Sequence, residues 1–295
     1  MPLGPSSKEI RKARRRVKPS CTNCLKTSQE CGLKRCEMCK VALYCSKECQ
    51  KKNWPEHKVI CTESDGRPII SLIRDFVINE ILHTLLGAIV AMKMDILNDP
   101  NIRRKPFKVR IEFAIEPVNL VDFHTILEST DDSEPILGML QLTGIVSNGY
   151  GIPLDPGSQR LWERAQKQLD DLEVWDSLVG LVEFTNNDDI QAIVLPLYIH
   201  EDALVMLKDG KQVPIPTGNG RDATFIRKSM STSSYMEVIN SAIRFDTENR
   251  WLLRRKMRVS DKKVIKDAVA NNLQSPAALY FRDKMERELI YKWKR

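Results

Sequence analysis

Beyond Cys61 the sequence has no cysteine: all eight lie between Cys21 and Cys61, and the following 234 residues contain none. That excludes a disulfide framework for the larger part of the chain. No charge-free apolar run reaches the roughly 18 residues a membrane-spanning helix needs. The most apolar stretch, residues 69–97, is interrupted by Arg74, Asp75, Glu80, His83, Lys93 and Asp95. Asp75 and Glu80 would be costly in lipid, so a buried or half-buried helix is expected there and no membrane contact. Met1 to Arg16 is polar and then basic, without the apolar segment of a secretion signal. Secretion is therefore not expected, and clustered cysteines read as metal ligands before they read as disulfides. Gly-x-Gly-x-x-Gly, P-loop and nucleophile-elbow motifs are missing. Thr217-Gly218-Asn219-Gly220 lacks the Lys-Ser/Thr that would follow in a phosphate-binding loop, and reads as a surface turn. Asp170-Asp171 and Asp188-Asp189 are adjacent in sequence and point apart, so they read as caps or solvated groups rather than as a catalytic pair.

What is present is ordinary globular material, with 42% hydrophobic and 29% charged residues in 295, enough for one small and one medium domain. The net charge of +7 is unevenly placed. Residues 1–65 hold 15 Lys/Arg against 7 Asp/Glu, and the remainder 31 against 32. The excess is concentrated in Lys8, Arg11, Lys12, Arg14, Arg15, Arg16 and Lys18, with Glu9 the single acid among them. Such a run reads first as a solvated, disordered arm over residues 1–20. A nuclear localisation signal or a contact to nucleic-acid phosphates are the competing readings. No aromatic residue interleaves the charges, which gives base stacking no support. Nucleus or cytoplasm is the expected location, the nucleus preferred.

The cysteines fall into a pattern that coordination chemistry explains. Cys21-x2-Cys24 and Cys36-x2-Cys39 are turns that can aim two sulfurs at one ion, about 2.3 Å from each. Cys45 and Cys49, and likewise His57 and Cys61, stand four apart, the spacing of one helical turn. Two turns and two four-residue pairs supply eight ligands, enough for two closed tetrahedral zinc sites. Spacing alone does not say which turn joins which pair. Cys31 fits neither pattern and reads as a free thiol. His83, His124 and His200 stand apart in cysteine-free sequence and read as core or surface residues.

The whole run, with Gly32-Leu33-Lys34-Arg35-Cys36, Leu43-Tyr44-Cys45-Ser46-Lys47-Glu48-Cys49-Gln50 and Asn53-Trp54-Pro55-Glu56-His57-Lys58, resembles the MYND family of zinc fingers. The resemblance covers residues 21–61 and implies an interleaved ligand set. Cys21, Cys24, Cys45 and Cys49 would hold one zinc, and Cys36, Cys39, His57 and Cys61 the other. It also implies a module for protein–protein interaction that binds short, commonly proline-containing peptides. The expected contacts are the edge of Val41-Ala42-Leu43-Tyr44 (Leu43 and Tyr44 above all), with Gln50 and Trp54 on one face of the following helix. Glu37 departs from the small polar residue expected between Cys36 and Cys39, and a carboxylate there would favour basic peptides.

The zinc expected here is structural, since neither site keeps an open position. Some MYND fingers are inserted into SET-type protein-lysine methyltransferases. Here only 20 mostly polar residues precede the finger, and the Asn-His-Ser-Cys motif and the downstream zinc cysteines of those enzymes are missing. The reading is therefore a non-enzymatic adaptor, with a nucleic-acid-binding regulator as the alternative. After a linker at 62–68, residues 69–295 read as a mixed α+β domain of unassigned fold. One long helix is expected from Ile69 to Leu97, then a strand at Lys108–Glu116, a loop between Gly144 and Gly157 and a helix at Gln159–Leu172. Strands follow at Leu178–Phe184 and Ala192–Ile199, and helices at Tyr235–Ile243, Trp251–Met257, Lys262–Ala270 and Pro276–Trp293.

Overall fold

The computed structural model describes residues 4–16, 19–39, 42–58, 61, 69–99, 102, 104–147, 153–172, 177–186, 189–217 and 224–291. The expected linker at 62–68, Val41 and residues 218–220 of the candidate turn lie outside them.

The basic arm is not an irregular chain. Residues Ser7–Arg16 form helix α1. Ser6 and Glu9 close its first turn reciprocally: the Ser6 N–H and hydroxyl donate to Glu9 Oε2 at 2.7 and 2.6 Å, and the Glu9 N–H returns to Ser6 Oγ at 3.3 Å. This Ser-x-x-Glu capping box was readable in the sequence. One apolar side chain, Ile10, is 1% exposed, while Lys8, Arg11 and Lys12 remain in solvent. The helix therefore has a buried side, which the charge run concealed.

The expected long helix is two. α3 (Ile69–Ile78) and α4 (Glu80–Lys93) meet at an angle of 88°. Asn79 makes the break. It is fully buried with extended backbone, and its Oδ1 accepts from the N–H groups of Ile81 and Leu82 at 3.1 and 3.3 Å. A buried Asn competes with the helix for its own backbone donors and wins as an N-cap. Among the described residues no single helix is long and apolar enough to cross a membrane.

The larger domain is built on a five-stranded sheet. Its strands are β3 (Lys108–Pro117), β4 (Leu137–Ser147), β5 (Leu178–Asn186), β6 (Asp189–Ile199) and β9 (Arg254–Lys256), in the order β6-β5-β3-β4-β9. Every pairing is antiparallel except β3–β5, which runs parallel. Between these strands lie α5 (Leu120–Glu128), α6 (Pro156–Asp171) and α7 (Glu201–Asp209). A separate hairpin follows, β7 (Gln212–Thr217) with β8 (Thr224–Ser229), and then α8 (Thr232–Phe245). The chain ends in α9 (Val259–Val269), α10 (Pro276–Arg287) and a 3-10 turn at Leu289–Tyr291. Alternation divides the sheet's faces. Leu178, Val182 and Phe184 of β5 join the main core, whereas Val179 and Leu181 pack under Trp162, Ala165 and Leu169 of α6. Asp171 and Asp170 pair with Lys167 and Gln166 on the open side of α6, as solvated groups do.

Three further expectations change. Gly144 does not open a loop; it lies inside β4, beside a shift in the β3–β4 register, where a Cβ would come 2.7 Å from the Tyr280 ring. Residues 251–257 are not helical. The Asp246 carboxylate takes the N–H groups of Arg250 and Trp251, each at 2.8 Å, and Leu252 turns with φ of 59°. The chain then leaves extended and pairs β9 with β4. The last helix stops at Arg287, with Glu288 extended. α5, β4, α7, β7 and β8 had no sequence counterpart.

That last turn closes over a buried charge network. Lys284 Nζ, wholly buried, lies 2.5 Å from Glu116 Oε1 and 3.3 Å from Glu288 Oε2. Arg244 reaches the same two carboxylates at 3.5 and 2.9 Å. The Tyr291 hydroxyl donates to Glu116 Oε2, and Asn240 Nδ2 donates to Glu288 Oε1 at 2.6 Å. Two cations meet two carboxylates, so the buried charge is balanced. Lys284→Met alone should destabilise the protein by about 3–5 kcal/mol, because it strands a buried carboxylate. Adding Glu116→Gln should recover most of that loss; urea denaturation of both variants checks it. Glu288 loses ease of ionisation by burial but is held below the usual carboxylate range by Lys284 and Arg244. Its contribution is therefore complete at neutral pH and is lost as pH falls through the lowered value.

Candidate metal centre

The finger contains two short elements besides its turns, β1 (Lys34–Arg35) paired with β2 (Leu43–Tyr44), and helix α2 (Lys47–His57). Ser46 caps α2, its hydroxyl accepting from the Cys49 N–H at 3.2 Å. Only Cys49 and His57 of the two four-residue pairs lie within the helix; Cys45 precedes the cap and Cys61 follows the end. The capping turn nonetheless brings the Cys45 and Cys49 sulfurs to 3.4 Å.

Two clusters result, Cys21 with Cys24, Cys45 and Cys49, and Cys36 with Cys39, His57 and Cys61. Within each, the ligand atoms all lie within 4.8 Å of one another. The close approaches are Cys24–Cys45 at 3.5 Å, Cys36–Cys61 at 3.6 Å and Cys39 Sγ–His57 Nε2 at 3.6 Å. A tetrahedron with arms of about 2.3 Å has edges of about 3.8 Å, so both clusters have the dimensions of a zinc site. The turns and pairs are interleaved, first with third and second with fourth.

Electrostatics favours a cation in both places. Burial works to raise the Cys21 thiol, but the N–H groups of Cys24, Cys45 and Asn23 together bring it down to about 6. Cys36 is brought down to about 6 in the same way, by the N–H groups of Cys39 and Met38 and by His57. Burial and the neighbouring Cys36 push Cys61 up to about 12. Neither the four thiols of the first cluster nor the three of the second can all ionise this close together without a positive ion. Asn23 Nδ2 lies 3.5 Å from Cys49 Sγ, an outer-shell donor to a ligand.

The residues expected to bind peptide separate into two groups. Tyr44 is 2% exposed; its hydroxyl donates to Asn53 Oδ1 at 2.7 Å and its ring stands edge-on to His57, centroids 5.9 Å apart. It is core. Leu43 does not offer an open edge either. β1 lies on one side of it, and on the other its C=O accepts from Thr22 N–H at 2.7 Å while its N–H donates to Thr22 Oγ1 at 3.2 Å. Trp54, by contrast, is 42% exposed although its ring meets His57 at 5.9 Å. Gln50 is half-buried, and Glu37 exposed. Met38, 54% exposed in the second cysteine turn, is a surface apolar residue that spacing arguments passed over. Cys31 is half-buried, its thiol 3.4 Å from the Thr27 carbonyl, and belongs to neither cluster.

The finger touches the larger domain. Arg164 of α6 donates to the Leu25 carbonyl and reaches Glu30 Oε2 at 3.4 Å. Glu30 is itself anchored by the Thr27 N–H and hydroxyl at 2.7 and 2.6 Å.

A family model described as domain of unknown function DUF8205 matches residues 64–291. The chain belongs to this family. Ahead of the DUF8205 domain, the MYND finger model matches residues 21–61. The DUF8205 protein resembles curated proteins through the finger. N-lysine methyltransferase SMYD2-B of Danio rerio is 49% identical over 41 residues, 14% of this chain and 9% of its own. Histone-lysine N-methyltransferase SMYD3 of Homo sapiens is 51% identical over 41 residues, with the same coverage of 14% and 9%. The zinc finger MYND domain-containing protein 10 homolog of Drosophila melanogaster is 45% identical over 38 residues, 13% of this chain and 8% of its own. The chain thus spans less than a tenth of the length of each of these relatives. No solved structure matches it.

Native mass spectrometry of the full-length DUF8205 protein should find two zinc ions. Cys36→Ala or His57→Ala should leave one, and Cys31→Ser two. A count of two in Cys36→Ala would break the ligand assignment.

Proposed function

We propose that this DUF8205 protein is a non-enzymatic adaptor, its MYND finger binding a short, proline-containing peptide of a partner protein across Trp54 and Gln50. The exposure of Trp54 carries the proposal. An indole in van der Waals reach of a zinc ligand would ordinarily be covered, and this one is 42% exposed in the last turn of α2. A flat ring held in place by the metal site suits a proline ring, since little side-chain entropy is lost on contact. Gln50, one turn earlier on the same helix, supplies a backbone hydrogen bond. Tyr44 acts from beneath, holding α2 through Asn53, and Leu43 is engaged by Thr22 and β1, so neither is assigned to the ligand. Glu37 and Met38, both in solvent in the second cysteine turn, favour a basic or apolar flanking residue.

The metal does no chemistry in this reading: each cluster already has four ligands, leaving no position for an activated water. Its role is to fold a segment with little apolar core of its own, a contribution of roughly 10–16 kcal/mol in small finger peptides. The methyltransferase relatives share the finger alone, and the region after it has none of the cysteines of their additional zinc site. A second reading, nucleic-acid binding in the nucleus through Lys8, Arg11 and Lys12, rests on their common exposure on α1.

Peptide display against the zinc-loaded full-length protein should enrich one short motif, with affinity falling about tenfold or more in Trp54→Ala. The zinc content of that variant should remain two ions. No label should pass from S-adenosylmethionine to histones or bulk protein. Binding to nucleic acid that dropped tenfold or more between roughly 50 and 200 mM salt would favour the second reading.

A further inference from the structure

The hairpin formed by β7 and β8 has one closed edge and one open one. Its phase is fixed by the Met230 N–H, which donates to the Lys211 carbonyl at 3.2 Å just outside the named strands. Antiparallel ladders alternate, so Val213–Lys228 and Ile215–Ile226 exchange hydrogen bonds, whereas Gln212–Ser229, Pro214–Arg227 and Pro216–Phe225 do not. Residues in the second set turn their backbone groups away from the partner strand. On β7 that set includes both prolines, so the far edge lacks two of its donors and cannot template another strand. On β8 the same geometry turns the N–H and C=O of Phe225, Arg227 and Ser229 outward. No described strand pairs with that edge.

The side chains along it are also uncovered. Five of the six residues of β8 are exposed, Phe225 at 52% and Ile226 at 40%. Phe225 and Ile226 lie on opposite faces, so an apolar surface is open on both sides of one edge. The two cations differ. Lys228 is engaged by Glu237 Oε2 at 2.5 Å and the Arg287 carbonyl at 3.2 Å. Arg227 is exposed and has no carboxylate partner among the described residues.

We propose that the outer edge of β8 docks an extended segment of a partner protein by strand addition, the segment carrying an acidic side chain opposite Arg227 and apolar ones beside Phe225 and Ile226. Main-chain hydrogen bonds to Phe225, Arg227 and Ser229 supply affinity, and the side chains supply selection. A second copy of this chain is the poorer occupant. An antiparallel self-pairing that uses all three outward residues sets Arg227 directly against Arg227, and like charges opposed across a ladder repel. This site is separate from the finger and does not depend on its ligand.

The test uses the full-length zinc-loaded protein, panned against random twelve-residue peptides on phage, with Trp54→Ala panned in parallel. Peptides alternating apolar and acidic residues should enrich on both proteins. Phe225→Pro and Arg227→Pro remove an outward donor without touching the ladder to β7, as Pro214 and Pro216 already do on the other strand. Each should weaken an enriched peptide about tenfold or more at unchanged urea midpoint. Arg227→Glu, which keeps every backbone donor, should turn the preference towards Lys- or Arg-containing peptides. The proposal fails if no such peptides enrich, if enrichment disappears in Trp54→Ala, or if both proline variants bind as the wild type does. It also fails if sedimentation shows a dimer that Arg227→Pro converts to monomer, since the edge would then belong to a second copy.

Discussion

Lys284 has its ammonium group wholly inside the protein, and the arrangement of the carboxyl-terminal third follows from what that charge requires. An unpaired ion in a protein interior costs several kcal/mol, so carboxylates must be brought to it and must themselves be neutralised. Glu116 comes from the central strand β3 and Glu288 from just beyond α10. Arg244 of α8 balances them, and Tyr291 caps the remaining oxygen of Glu116. The requirement extends one step further. Asn240 donates to Glu288 and at the same time takes the Leu142 N–H at 2.7 Å and donates to its carbonyl at 2.8 Å, where β3 and β4 shift register. One buried cation thus fixes the seat of α10, the 3-10 turn and α8 upon the sheet. An all-apolar core would serve stability as well, but would not set these angles so narrowly.

The finger and the domain were unequally legible in the sequence, and the reason is physical. Eight ligands at set intervals state both the metal and its geometry, because sulfur and imidazole must converge within a few ångströms of one ion. That constraint survives even though Cys45 and Cys61 lie outside α2, where four-residue spacing had placed them inside it. In the domain, elements with a strong apolar run or period of their own announced themselves: β3, β5, β6, α6, α8 and α9 lie close to where the sequence put them. Elements whose form is decided by a distant partner did not. β9 has no pattern of its own and is strand only because β4 is beside it and Asp246 turns the chain ahead of it. Asn79 was not singled out within the expected helix Ile69–Leu97, yet burial makes its amide the cap that divides it. The charge run hid α1, whose structure depends on Ile10 and a two-residue capping box.

Of the four residues expected to form a peptide face, Tyr44 and Leu43 are engaged within the finger, whereas Trp54 is exposed and Gln50 half-buried. Tyr44 is drawn into the core against His57 and Asn53, and the Leu43 backbone is taken up by Thr22. Gln50 and Trp54 stand one turn apart on α2 and keep part of their surface open, although Gln50 directly follows Cys49 and the Trp54 ring meets His57. The distinction is one of crowding. Sequence shows which residues adjoin the metal ligands, but not which of them the second layer covers.

A metal-built finger and a core-built domain respond differently to their surroundings, and this bears on how the chain presents its surfaces. Chelation would remove most of what folds the finger while leaving the sheet and its charge network in place. Among the described residues Arg164 joins them, reaching a carbonyl and a carboxylate of the first cysteine loop, all of it near solvent. Exposed pairs of that kind contribute little stability, about 0–1 kcal/mol. What Arg164 can supply is orientation, since Leu25 turns with φ of 62° and Glu30 is already held by Thr27, so a preformed loop meets a fixed helix. On the adaptor reading proposed above, such a contact would hold the aromatic face of the finger at a set angle to the domain.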